Sequence, residues 1–237
     1  MIQQYFSGDV GNFHLIFHHN LGLGDHFICN GLVHYLMRHY RVDRLYLISK
    51  QKNASIVRNL YQDFSDISVV DLPESGYPDE VSFSVELSKI IGAHLLVMRF
   101  KGQNVFFDSI FYSSFNVPFK SRWEYFQPPK DETKSLSFYA SFIKHENYCL
   151  VHDEGSVGSF KLRIDTALPI YYVRKGVADC LLDWKHVIQH AAEIHCIDSS
   201  VIHFADSLDL NNKLLCYHDV NRGSRFHVKN NWKTINY

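Results

Sequence analysis

Two short runs in this chain combine glycines, hydroxyls and carboxylates at spacings that can hold an anion and move a proton. The first is Gly22-Leu23-Gly24-Asp25. Its glycines permit positive backbone angles and close approach to a ligand, and the amides exposed at a helix start favour negative charge. Asp25 stands where it either caps that helix, an effect of about 1 kcal/mol, or acts as a base. The second run is Asp198-Ser199-Ser200-Val201-Ile202-His203, directly after the apolar stretch Ile194-His195-Cys196-Ile197. Hydroxyls and backbone amides converging at a helix start suit a phosphate. The plainer reading is a capped helix with His203 in the core. A third segment, Asp153 to Arg163, carries Lys161 and Arg163. They are either cations that neutralise a leaving phosphate or solvated strand-edge charges. Arg99 and Lys101 are lesser candidates for the same role.

Several chemistries are disfavoured. Phe27 occupies the third glycine position of a dinucleotide fingerprint, which argues against NAD. No serine near residue 156 is flanked by glycines as in a nucleophile elbow. His186 and His190 stand four apart, but no glutamate follows His186 and no third ligand is apparent, so no metal site is expected. His18-His19 at the end of the first apolar run either contact substrate or are exposed. The formal net charge of -1 gives no basic face for nucleic acid. The five cysteines are odd in number, widely spaced and form no C-x-x-C, the pattern of buried thiols in a reducing compartment. With a polar start at Met1 to Gly11 and no bilayer-length apolar run, a cytoplasmic protein is expected.

The elements that must position these residues alternate between short β-branched runs and longer stretches of helical period, the pattern of β-α-β units around parallel sheets. Strands are expected at 13–18, 44–49, 67–71 and 94–99. Helices are expected at 25–40, 53–64 with Asn53 as N-cap, and 79–91. Residues 103–133 read as irregular and aromatic-rich, and Gln127 to Glu132, with Pro128-Pro129, reads as a linker. The expected domains are therefore 1–126 and 127–237. In the second, helices are expected at 135–144, 182–192 and 199–208, and strands at 148–152, 169–173, 193–197 and 213–217. The fold class is α/β, with two Rossmann-like domains.

The run Asp198-Ser199-Ser200-x-x-His203 followed by Phe204-Ala205-Asp206-Ser207-Leu208 resembles the D-[ST]-[GS]-x-x-H-[LF]-A-x-x-L signature of heptosyltransferase-like GT-B glycosyltransferases. Leu23-Gly24-Asp25-His26 is similar to the N-terminal G-D of the same enzymes. Ser200 stands where the family usually has glycine, and the chain is shorter than typical members. The resemblance implies a GT-B fold, with parallel sheets facing across a cleft. It also implies an inverting, metal-independent transfer of a sugar from a nucleotide-sugar to a glycan or other hydroxyl acceptor. Asp25 would be the base. Gly24, Asp198, Ser199, Ser200 and His203 would contact the donor, with Lys161 and Arg163 supplying positive charge. No cofactor is implied, and peripheral membrane contact is compatible with such a role. A nucleotide-sugar epimerase on the same scaffold and a non-catalytic nucleotide-sugar binding module are the alternatives.

Overall fold

A computed structural model describes residues 13–19, 22–98, 106–156, 158–210, 213–220 and 225–237. Arg99 and Lys101 lie outside the described residues. The chain divides into two compact units, one of residues 1–102 with 107–129, the other of 103–106 with 130–237.

In the first unit, strand β1 (His14–His18), helix α1 (Leu23–His39), β2 (Arg44–Lys50), α2 (Gln51–Leu60), β3 (Ile67–Leu72), α3 (Glu80–Ile91) and β4 (His94–Val97) alternate. The strands form one parallel sheet in the order β3-β2-β1-β4. Ile16 and Ile48 on one face pack with Leu72, Ala93 and the α3 residues Phe83, Leu87 and Ile91. α3 starts as expected, with Asp79 accepting from the amides of Val81 and Ser82. α2 starts earlier than expected. Lys50 is its N-cap, and Asn53 is a buried residue inside the first turn.

The aromatic segment expected to be irregular folds into α4 (Phe107–Ser113) and α5 (Ser121–Glu124), and both pack on α1. Gly31 makes this possible. A Cβ there would lie 2.3 Å from the Ser121 carbonyl oxygen and 2.5 Å from that of Arg122, so any side chain would push α5 away. Arg122 and Asp108, both fully buried, form an ion pair beneath. Tyr112 donates to the Ile28 carbonyl at 2.7 Å. The amide of Gln127, at the start of the proline tract, donates to Asn30 Oδ1 at 2.8 Å.

The second unit begins with α5's successor α6 (Thr133–Phe142), which starts two residues before the expected position because Asp131 accepts from the Thr133 amide. Strand β5 (Cys149–His152) follows, then a small hairpin of β6 (Glu154–Gly155) and β7 (Gly158–Ser159), and β8 (Ile170–Tyr172). A 3-10 turn (Leu181–Trp184) leads into α7 (Lys185–His190), β9 (Glu193–Ile197), α8 (Ser200–Ser207), β10 (Leu214–Asp219) and β11 (Trp232–Asn236). The five longer strands form a second parallel sheet, ordered β11-β10-β9-β5-β8. β11 is a strand that the sequence pattern does not reveal. Buried Asp206 on α8 secures its approach, accepting from the amides of Lys229 and Asn230 and from the Trp232 indole, all at 2.9–3.0 Å.

Candidate functional site

Ligands of open parallel sheets bind outside the carboxyl ends of the strands, where the strand order reverses direction. In the first unit the chain winds from β1 outward to β3 and then returns to β4 on the other side. The reversal therefore lies between β1 and β4. In the second unit it lies between β5 and β9, because the chain goes from β5 to β8 before crossing to β9. Both of the runs singled out in the sequence fall at these reversals.

At the first, Gly22 is the N-cap of α1 and Asp25 its third residue. Asp25 Oδ2 accepts from the Gly22 amide at 3.1 Å. A Cβ on Gly22 would sit 2.6 Å from that oxygen, so the carboxylate can fold back only over glycine. Gly24 is half-buried in the same turn. Three histidines close by in the chain, His18, His19 and His26, are fully buried. His18 Nδ1 is 2.7 Å from Ser84 Oγ on α3, and His19 Nε2 is 3.1 Å from His26 Nδ1. The expectation that His18 and His19 are either exposed or in contact with substrate gives way to one in which their rings pack into the core. Burial pushes His26 down to about 3. His19 is also held well below the usual range, by burial first and then by its neighbours His26 and His18. The His19–His26 pair is therefore neutral, one ring donating and the other accepting.

At the second reversal Ser199 is the N-cap of α8, accepting from the Val201 amide at 3.3 Å, and Ser200 opens the helix. Ser199 Oγ also lies 3.0 Å from Nδ1 of His152, the last residue of β5. The hydroxyl thus joins the two strands that flank the reversal. Burial lowers His152 to about 4, with Asp153 opposing the shift and Arg174 adding to it. His203, buried one turn into α8, has Nε2 at 3.6 Å from Asp198 Oδ1 and its ring against Phe226.

The basic residue at this edge is one that the sequence reading missed. Arg174, just beyond β8, donates from Nη1 to Asp153 Oδ1 at 2.6 Å and from Nη2 to Oδ2 at 3.2 Å, while its Nε is 3.2 Å from Glu154. Its guanidinium stacks over Tyr172. The signal was a lone arginine ending the run Ile170-Tyr171-Tyr172-Val173, and it carries meaning only once β8 is known to neighbour β5. Lys161 is exposed, and Arg163 stacks on Tyr237, whose hydroxyl accepts from the Arg163 amide beyond the end of edge strand β11. β11 is two strands from β9, roughly 10 Å at the usual spacing.

His186 and His190 are occupied otherwise. His186 Nδ1 lies 2.7 Å from Ser135 Oγ and its Nε2 lies 3.3 Å from Glu132, while His190 Nδ1 meets the His186 carbonyl. All five cysteines are buried, and none is in a disulfide. Among the described residues, no helix is long and apolar enough to cross a membrane.

No family model matches the sequence, and no curated protein matches it significantly. Among solved structures, the chain is similar to the glycosyl transferase family 9 protein of Veillonella parvula, with a TM-score of 0.59 and 8% identity over 95% of this chain and 87% of that one. The likeness establishes the fold. This is a two-domain α/β protein of the GT-B kind, with a four-stranded and a five-stranded parallel sheet.

Proposed function

We propose that the protein is a glycosyltransferase that moves a sugar from a nucleotide-sugar to a hydroxyl acceptor, with inversion and without a catalytic metal. One observation carries this: Asp198, Ser199, Ser200 and His203, the residues that resemble the donor signature, lie at the strand-order reversal of a sheet whose fold matches a glycosyl transferase family 9 structure. In the proposed reaction the acceptor hydroxyl attacks the anomeric carbon and gives its proton to Asp25. The bond from that carbon to the diphosphate oxygen breaks, and the nucleoside diphosphate leaves with the electron pair. The start of α8 and Arg174, freed from Asp153, stabilise the departing charge. Gly24, half-buried in the same turn, contacts the donor in this reading. Lys161 and Arg163 are retained as outer cations for the donor.

A binding module that holds the nucleotide-sugar without transferring it is the second reading. It is favoured by the bond between Asp25 and the Gly22 amide, which a simple helix cap would also make. A thermal-shift panel of nucleoside diphosphates and nucleotide-sugars tests both readings, because a ligand that binds only the folded chain raises its apparent stability. A stabilising donor that is then consumed only when an acceptor is added supports transfer. A donor that stabilises but is never consumed supports the module, and consumption without acceptor points to an epimerase or hydrolase. No stabilisation by any member rejects the donor site itself.

A further inference from the structure

At the amino ends of β5 and β9, away from the reversal just described, a second group of polar side chains has no assigned role. Cys149 and Glu193 are register partners across these strands, and His195 lies two residues along on the same face. Glu193 Oε2 and His195 Nε2 are buried atoms that make no hydrogen bond. They lie 3.8 Å apart, beyond hydrogen-bonding range. The sulfur of Cys149 completes the group, with one donor atom from each residue within 4.8 Å of the others. His195 is almost wholly buried, and its other nitrogen is engaged. Nδ1 meets His218 Nε2 at 2.9 Å, and His218 Nδ1 in turn meets the Tyr237 hydroxyl at 2.8 Å. The ring is thus fixed from behind with Nε2 facing Cys149 and Glu193, the arrangement that orients a metal-ligating imidazole.

We propose that Cys149, Glu193 and His195 bind a divalent cation of the zinc class, with the fourth position left to water. One sulfur, one nitrogen and one oxygen donor match a borderline ion, whereas calcium and magnesium require oxygen ligands throughout. A thiolate and a carboxylate together cancel a 2+ charge, so the loaded site is neutral and can remain buried. Tetrahedral bonds of 2.0–2.3 Å bring ligand atoms to about 3.3–3.8 Å of one another. The three side chains therefore need to close by only about 1 Å. Because the sulfur binds as thiolate, loading the site must displace a thiol proton to solvent. Glu193 and Ser199 are six residues apart along the chain, roughly 20 Å of extended strand. The ion therefore ties β5 to β9 at the opposite end of the strands and takes no part in the transfer proposed above.

The test is a cobalt(II) titration of the full chain after chelator treatment, with zinc content read by native mass spectrometry. The expected result is one equivalent of cobalt with a thiolate-to-metal charge-transfer band, displaced by zinc. Cys149→Ser should abolish the band, Glu193→Gln and His195→Gln should weaken binding at least tenfold, and Cys180→Ala should change nothing. Zinc should raise the melting temperature of the unsubstituted chain and not that of Cys149→Ser. Absence of stoichiometric binding by the unsubstituted chain overturns the site, as does a band that survives Cys149→Ser. If Cys149→Ser does not fold, Glu193→Gln and His195→Gln decide, since unchanged affinity in both also overturns it. None of these readouts depends on turnover, so they stand whether or not the chain is a glycosyltransferase.

Discussion

The two strand-order reversals are built from opposite materials. In the first unit the supporting residues His18, His19 and His26 are fully buried and hydrogen-bonded to neutral partners. In the second, Asp153, Arg174, Asp198 and Ser199 are partly accessible, and Asp153 and Arg174 are paired with each other. The first edge thus sets a neutral, packed pair, His19 and His26, next to one carboxylate, Asp25, in the same turn of α1. A guanidinium already paired with Asp153 and Glu154 must instead exchange partners when an anion arrives, so affinity there depends on how the competition is settled. Under the proposed function, positioning belongs to the first unit and charge exchange to the second.

Asp25→Asn is the most severe way to break this division. The amide keeps an oxygen for the Gly22 amide but cannot take a proton, so transfer should fall about 10²–10⁴-fold. Nucleotide binding at the second unit should remain within twofold, read by thermal shift alongside steady-state turnover. Transfer that persists at the original rate would remove Asp25 from the chemistry and leave the first edge a helix cap.

The same contrast recurs in the two buried carboxylates that hold each unit together. Asp108 faces a fully buried guanidinium, whereas Asp206 accepts from the amides of Lys229 and Asn230 and from the Trp232 indole. Asp108→Asn takes the carboxylate charge away from the buried Arg122 guanidinium and should cost about 3–5 kcal/mol in urea unfolding. Asp206→Asn keeps one acceptor and should cost about 1.5–3 kcal/mol, by loosening β11 from α8. Equal losses would mean that Arg122 finds a replacement partner or sheds its burial.

These carboxylates also mark what could and could not be read from the chain. The periodicity of the first four strands is local, and each was legible because Val, Ile, Leu and Phe cluster between polar turns. β11 was not, because Trp232-Lys233-Thr234-Ile235-Asn236 is an edge strand with few buried residues, held by Asp206 from 26 residues away. α4 and α5 were missed for a similar reason. They are short, and what stabilises them is the Arg122–Asp108 pair and the contact allowed by Gly31, neither of which leaves a period in the sequence. The candidate runs at 22–25 and 198–203 were legible because helix starts have local signatures. The role of Arg174 required knowing that β8 pairs with β5, and that His18 and His19 are buried required knowing what covers the end of β1.

Acid should probe the histidines of both units with a predictable sign. The folded-state value of His26 lies near 3 and that of His152 near 4, each lowered by burial from an ordinary 6.5. Below 6.5 the unfolded chain takes up protons that the folded chain refuses. Stability is therefore full above 6.5 and declines as pH falls, over a window reaching about 3 for His26 and about 4 for His152. Each such proton contributes a slope of about 1.4 kcal/mol per pH unit. His26→Gln should remove one proton from the slope measured by urea unfolding at successive pH values. An unchanged slope would mean that His26 is protonated in the folded chain and that the first edge does not hold the neutral pair described above.

The smallest expected effect separates a helix cap from a binding group. Ser199 caps α8 at the second reversal, and Asp79 caps α3 far along the chain from either candidate run. Replacing either with alanine should cost about 1 kcal/mol of stability, because each leaves helix-start amides without an acceptor. Only Ser199→Ala also takes the hydroxyl from His152 and from the place where a diphosphate would meet the start of α8. It should therefore weaken nucleoside diphosphate binding about tenfold, as expected for loss of a hydrogen bond to a charged group, while Asp79→Ala leaves binding unchanged. If the two variants lose stability alike and bind alike, Ser199 is a cap and nothing more, and the anion site must be sought on the Arg174 side of β5.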